Sequence, residues 1–160
     1  MENSLNSLLV FKIETRLFAL KVSMVERVIR AVEVTPLLEA QKAILGLINY
    51  YGRIIPVINT RSLFGLPARE MDPIDQLIIT NTPGRTFALW VDIVCSITDP
   101  PVQDIVRASS ILSDMNYIEG AIACDEGMIY VCNPEQLLSF QVEKMLEKTL
   151  ETPGKTLLKP

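Results

Sequence analysis

Few side chains in this sequence could carry chemistry, and their spacing assembles no familiar reaction centre. Histidine is absent, so neither a Ser-His-Asp triad, a Cys-His pair nor a histidine metal site can form. The seven glycines make no GxG or GxxxxGK pattern, so no phosphate cradle is expected. Asp125 and Glu126 adjoin in ACDEGMI. Between two apolar runs they read as a solvated hairpin turn, with a weak cation or partner contact as the alternative. Cys124 and Cys132 could meet across that hairpin as thiols or ligands, although core packing is the simpler expectation. Arg85, Trp90 and Asp92 fall together in RTFALWVD. A structural role is expected for them, with a surface aromatic that meets a partner as the alternative. No cofactor or metal is implied, and the exclusions point from catalysis toward binding.

The elements that must position these residues are mostly short strands. In LLVFKIE, Leu9, Phe11 and Ile13 alternate with Val10, Lys12 and Glu14, the period of a strand with one buried face. Similar runs occupy 16–22, 25–34, 44–50, 53–59, 76–81, 85–91, 94–98, 117–123 and 127–132. Pro56 cannot donate a ladder hydrogen bond, so its strand is expected at an edge or with a bulge. Helix is expected from NPEQLL, where Asn133 caps and Pro134 fits the first turn, followed by Leu138, Val142, Met145, Leu146 and Leu150 at helical spacing. A second short helix follows Asn59 and stops at Gly65. The tail after Glu151 reads as loose.

Composition bounds the rest. The chain has 160 residues, 49% of them hydrophobic, enough for one respectable core or two small ones packed together. Its 15 basic and 19 acidic residues are scattered, with a net charge of -4. Without a basic stripe, nucleic acid is not an expected partner. The apolar window 43–58 is interrupted by Asn49, Arg53, Pro56 and two glycines, so no membrane-inserted helix is expected. MENSLNSLLVFK does not read as a signal peptide. Three widely spaced cysteines suit a reducing compartment in which they serve as small buried hydrophobes, and the cytoplasm is the expected location.

An internal repeat organises the strands. RLFALKVSMVERV at 16–28 aligns without gaps on RTFALWVDIVCSI at 85–97, with six of thirteen positions identical. IIPVINTRSLF at 54–64 aligns on MIYVCNPEQLL at 128–138, pairing Ile55 with Ile129, Val57 with Val131, Asn59 with Asn133 and Leu63 with Leu137. The offset grows from 69 to 74 between the matches, as a difference in loop length requires. Two similar small β-barrels are inferred, each marginal alone and stabilised by packing on the other.

With these residues in view, the chain resembles the CheW family of chemotaxis coupling proteins and the CheW-like regulatory domain of the kinase CheA. The family pattern G-V-x-N-x-R-G-x-I-x-P-V-x-D-L reads here as Gly46, Asn49, Gly52, Ile54, Pro56 and Val57. V-D-x-V follows as Val91, Asp92 and Val94, and the closing strand pair as Gly120, Asn133, Leu137 and Leu138, the resemblance covering residues 8–140. It implies an all-β fold with short helices: two SH3-like five-stranded barrels sharing a core, plus a C-terminal helix. One CheW-like domain is expected over 7–143, with a first barrel at 15–81, a second from 8–14 and 82–140, and the helix end and loose tail at 144–160. It implies a cytoplasmic, non-catalytic adaptor, recruited to membrane-associated receptor arrays, whose partners are the cytoplasmic tip of a chemoreceptor and the regulatory domain of a CheA-type histidine kinase. Alternatives are a scaffold that binds the kinase without receptors, and a peptide-binding barrel module outside chemotaxis.

Carried over by position, the receptor-facing candidates are Val25, Glu26, Arg27, Asn49, Tyr51 and Arg53, although Val25 is also expected to pack inward. Two of these depart from the family. Arg27 stands where V-x-E-V carries glutamate, and Tyr51 replaces the arginine of N-x-R-G, with Arg53 just past the glycine. Arg27 could stack on Tyr51, a contact of about 0.5–2 kcal/mol depending on desolvation, which implies a divergent coupler with a non-standard partner. Alternatively, a shift of one residue in strand register puts Glu26 and Arg53 in the family roles. Such a shift flips side chains across a strand, so only one of the two pairings is expected.

Overall fold

The computed structural model describes residues 7–37, 43–100, 104–107 and 117–137. Eleven strands among them form two sheets. In chain order they are β1 (Leu8–Ile13), β2 (Arg16–Lys21), β3 (Val25–Arg30), β4 (Ile44–Tyr50), β5 (Arg53–Ile58), β6 (Gln76–Asn81), β7 (Thr86–Val91), β8 (Ile93–Thr98), β9 (Val106–Arg107), β10 (Ile118–Cys124) and β11 (Gly127–Cys132). One sheet runs β3-β6-β7-β5-β4 and the other β8-β1-β2-β11-β10-β9. Two short helices, α1 (Thr60–Phe64) and α2 (Pro134–Leu137), follow β5 and β11.

The repeat governs this topology. Offsets of 69 and 74 convert β3-β6-β7-β5-β4 into β8-β1-β2-β11-β10. They also convert the parallel partners Val57 and Ala88 into the parallel partners Val131 and Ala19. The expected division into barrels needs one correction: β2 pairs in the sheet of the second half, and β7 in the sheet of the first. The two repeat units therefore cross in opposite directions, β2 to β3 and β7 to β8. Each sheet borrows a strand from the other half, which physically ties the halves together.

Three clusters of buried side chains result. Ile48, Ile55, Val57, Leu77, Ile79 and Ala88 fill the first half, and their repeat equivalents Ile122, Ile129, Val131, Leu8, Val10 and Ala19 fill the second. Between them lies a shared core that includes Phe11, Phe18, Leu20, Ile78, Phe87 and Leu89. Because Leu8 and Val10 enter one core and Leu9, Phe11 and Ile13 the other, β1 is buried on both faces rather than on one. Period-2 alternation decides which core each residue joins, not whether it is buried.

A close approach closes each half. Thr35 bridges Leu47 through two backbone hydrogen bonds of 2.8 Å, and Val106 stands opposite Ala121 at the equivalent place. A Cβ on Gly46 would collide with the Thr35 carbonyl, and one on Gly120 would lie 2.9 Å from the Val106 carbonyl. Both positions leave no room for a side chain.

Pro56 lies in the half of β5 that pairs with β4 alone, since pairing with β7 begins at Val57. The strand is internal in the sheet order, yet locally an edge where the missing N–H falls. Asn59 caps α1, its Oδ1 accepting from Ser62 N–H at 3.3 Å, and Gly65 ends it in the left-handed region. Asn133 caps α2 in the same way toward Glu135 N–H at 3.0 Å. The expected continuation from Leu138 through Leu150 and the tail lie outside the described residues.

Two cysteines differ from the expectation of burial. Cys132 is buried, but Cys95 and Cys124 are exposed. Cys124 sits at the turn end of the β10–β11 hairpin opposite Gly127, while Cys132 is at the far end opposite Ile118, so they do not face one another. Cys95 is an extra, bulged residue between the partners of Val10 and Phe11, and the bulge aims it outward.

Candidate functional site

Five of the six expected site residues converge on one surface. The β4–β5 hairpin turns through Tyr51 and Gly52, both with positive φ of 52° and 87°, the pattern of a tight turn whose twist suits the flanking strands. The Asn49 side chain fixes the turn, its Oδ1 accepting from Gly52 N–H at 2.8 Å. Tyr51 is thrust outward at 80% exposure, and Ile54 of β5 is also exposed. Its ring meets that of buried Tyr50 edge-on at 4.9 Å.

The facing strand β3 supplies the charges. Its pairing with β6 shifts between Val25 and Arg27, leaving Glu26 as an extra residue. A bulge of this kind lets two successive side chains share one face, and both Glu26 and Arg27 are exposed. Both pairings expected to be mutually exclusive therefore form. Arg53 Nη1 lies 3.2 Å from Glu26 Oε2. Arg27 Nη1 donates to Tyr51 Oη at 3.2 Å, with its guanidinium 5.9 Å from the Tyr51 ring. No exclusive choice of face arises, because β3 carries one residue more than its partner at that point.

Asn81, on β6, completes the cluster by donating to Glu26 Oε1 at 3.1 Å. Its hydrogen bond, followed by the charge and hydrogen bonds of Arg53, holds the Glu26 carboxyl below its usual range despite the opposing desolvation. Val25 stands apart: it packs against the shared core and holds β3 in place. Asn81 and Tyr50 escaped the sequence reading, since Tyr50 fills the unspecified position of N-x-R-G and Asn81 falls on no position that the motifs specify.

A second polar cluster, also missed, is built around buried Arg61 and Asp75. Arg61 of α1 is 1% exposed and pairs with Asp92, between β7 and β8, and with Glu14 of the β1–β2 turn at 3.3 Å. Its guanidinium stacks 4.5 Å from the Trp90 ring, while its Nε and Nη1 find no hydrogen-bond partner among the described residues. Asp75, 2% exposed, accepts from Arg69 at 2.8 and 2.9 Å, from Asp72 N–H at 2.8 Å and from Trp90 Nε1 at 2.9 Å. Burial pushes the Asp75 pKa up, but these donors outweigh it and hold the carboxyl below its usual range. A carboxylate kept charged by a guanidinium, a backbone N–H and an indole is not poised for proton transfer. The cluster ties α1 of one half to the β1–β2 turn of the other. Trp90 is thus the structural aromatic expected, and Asp125 and Glu126 occupy the exposed turn expected.

Among the described residues no group of three or more acidic or cysteine side chains could hold a metal ion, and no helix is long and apolar enough to cross a membrane. The fold and its repeat coincide with a known family: a CheW-like domain model matches residues 7–142. This chain belongs to the CheW-like family. A "Chemotaxis protein CheW" of Rhizobium meliloti is 25% identical over 131 residues, covering 81% of this chain and 84% of its own. One from Thermotoga maritima is 30% identical over 89 residues, 56% of this chain and 58% of its own. The crystal structure of scaffolding protein TtCheW from Thermoanaerobacter tengcongensis superposes with a TM-score of 0.76 at 27% identity, covering 84% of this chain and 88% of that one. In this CheW-like domain two sheets pack around a shared core, and its residues Glu26 and Arg53 pair at the bulge of β3.

Proposed function

We propose that this CheW-like protein is a non-catalytic adaptor that couples a chemoreceptor to a CheA-type histidine kinase, on the cytoplasmic face of a receptor array. Membership of the family supports the class of function, together with relatives that carry the names chemotaxis protein and scaffolding protein. The residue-level reading rests on one observation: Glu26, Arg27, Tyr51 and Arg53 form a single outward patch. Exposed arginine and tyrosine make a surface of the kind that anchors protein partners. Val25 and Asn49 serve it indirectly, one by seating β3 in the core and the other by fixing the hairpin turn.

The assay is a three-component assembly of the protein, its receptor's cytoplasmic fragment and the kinase regulatory domain. Arg27→Glu places a second carboxylate beside Glu26 and releases Tyr51. It is expected to weaken receptor binding at least about tenfold, through like-charge contact, while binding of the kinase domain is retained. Unchanged receptor affinity would retire the assignment of Arg27. The Arg27–Tyr51 contact also favours a second reading, a scaffold that occupies kinase sites without engaging receptors. Wild-type protein that binds the kinase domain but no receptor fragment decides for it.

A further inference from the structure

A groove of about 660 Å³ opens on the first half, away from the residues of the proposed receptor patch, between the segment that follows β3 and the loop that precedes β6. Its floor is apolar. Val34, Leu45 and Met71 are partly buried there against the first-half core, and Val32 is 43% exposed at its side. Its rim is acidic, with Glu33, Glu70 and Asp72 all exposed. Arg69, on its lining, is already committed to Asp75 and Asp92 at 2.8–2.9 Å, so among the described lining residues no free cation offsets the rim carboxylates.

Both walls are held in place before anything binds. Ala31 N–H donates to the Asp75 carbonyl at 2.9 Å, and the Thr35–Leu47 bridge anchors the other end of that wall. The opposite wall hangs on the buried Asp75 carboxylate, and Asp72 Oδ1 accepts from Ile74 N–H at 2.9 Å to close its turn. A site built this way loses little conformational freedom on binding, and its volume is that of clefts that hold a defined ligand.

We infer that this groove docks a segment of a partner protein in which lysine or arginine alternates with leucine, isoleucine or valine. The apolar side chains lie on Val34, Leu45 and Met71, and the cations meet Glu33, Glu70 and Asp72. Charge complementarity selects the occupant: an acidic or purely apolar segment leaves the rim carboxylates facing like charge or nothing. This surface uses none of Glu26, Arg27, Tyr51 or Arg53, so it stands or falls independently of the receptor assignment.

The test uses a short fluorescein-labelled peptide of alternating lysine and leucine, and its counterpart with glutamate for lysine, titrated by anisotropy against the full chain. The lysine peptide is expected to bind saturably and the glutamate peptide not at all. Glu33→Lys with Glu70→Lys should weaken binding at least about tenfold. Asp125→Lys with Glu126→Lys, on the exposed turn of the other half, changes net charge equally and should leave affinity within about threefold. Val32→Ser should weaken binding without altering the unfolding midpoint. Equal binding of the two peptides, no saturable binding, or equal losses from the two charge reversals overturns the inference. So does sedimentation that shows a dimer abolished by Val32→Ser, since the occupant is then a second copy.

Discussion

Replacing Gly46 with alanine puts the closing contact of the first half to a direct test. The new methyl would strike the Thr35 carbonyl oxygen and lie 2.7 Å from Val34 Cγ1. The first obstacle is backbone, which cannot swing aside as a side-chain end can. Overpacking of this kind costs about 1–3 kcal/mol, and losing the two Thr35–Leu47 hydrogen bonds adds about 0.5–1.5 kcal/mol each. A destabilisation of about 2–6 kcal/mol is expected, or roughly 4–24 °C in Tm for a chain of this size. At Gly120 the methyl would meet Ile105 Cγ2 at 2.8 Å and the Val106 carbonyl at 2.9 Å, a milder conflict of about 1–2 kcal/mol. At Gly84 a methyl would find nothing within 4 Å, and the backbone has no positive φ there, so Gly84→Ala should fall within about 0.5 kcal/mol of wild type. Urea unfolding followed by circular dichroism and tryptophan fluorescence reads all three variants. An order other than Gly46 above Gly120 above Gly84, or a Gly46→Ala loss no larger than that of Gly84→Ala, refutes the close-approach account.

The remaining expectations concern titratable groups. Asp75→Asn should cost about 1–3 kcal/mol at neutral pH, because it removes the charged acceptor of Trp90 Nε1 and Asp72 N–H and leaves Arg69 with Asp92 alone. The lowered folded pKa of Asp75 means that its stabilisation is complete above the unfolded value of about 3.9 and is lost as pH falls through the folded value. Urea curves between neutral and acid pH should therefore converge for wild type and Asp75→Asn, and parallel curves would contradict this. Cys95 and Cys124 should react with a thiol reagent in the native protein, while Cys132, whose pKa burial pushes up, should react only after unfolding. Fast native labelling of Cys132 would show that the shared core is open.

Much of the fold was legible because it depends on local patterning. The strands at 76–81 and 127–132 have the expected bounds, and Asn59 and Asn133 each cap the helical turn that follows. The receptor-facing candidates could be placed because a resemblance carried them to one hairpin and one strand. The polar cluster of Glu14, Arg69 and Asp92 around buried Arg61, Asp75 and Trp90 was not legible. Its members are spread over some eighty positions of the sequence, and nothing periodic connects an arginine after β5 to a glutamate in the β1–β2 turn. Burial of a charge is decided by the partners it finds, which only the folded chain brings together.

Sequence alone determined that the chain is β-rich, twofold in its internal pattern and without the side chains of common hydrolytic or phosphate-binding chemistry. Those properties follow from residue types and from the spacing of neighbours. Tertiary structure alone decided that β2 and β7 exchange sheets, that β1 has two buried faces, and that Glu26 and Arg27 share one. Each of these depends on how a strand meets a partner distant in sequence. A single extra residue at a bulge or crossing changes the facing of a side chain without altering the local pattern that sequence displays.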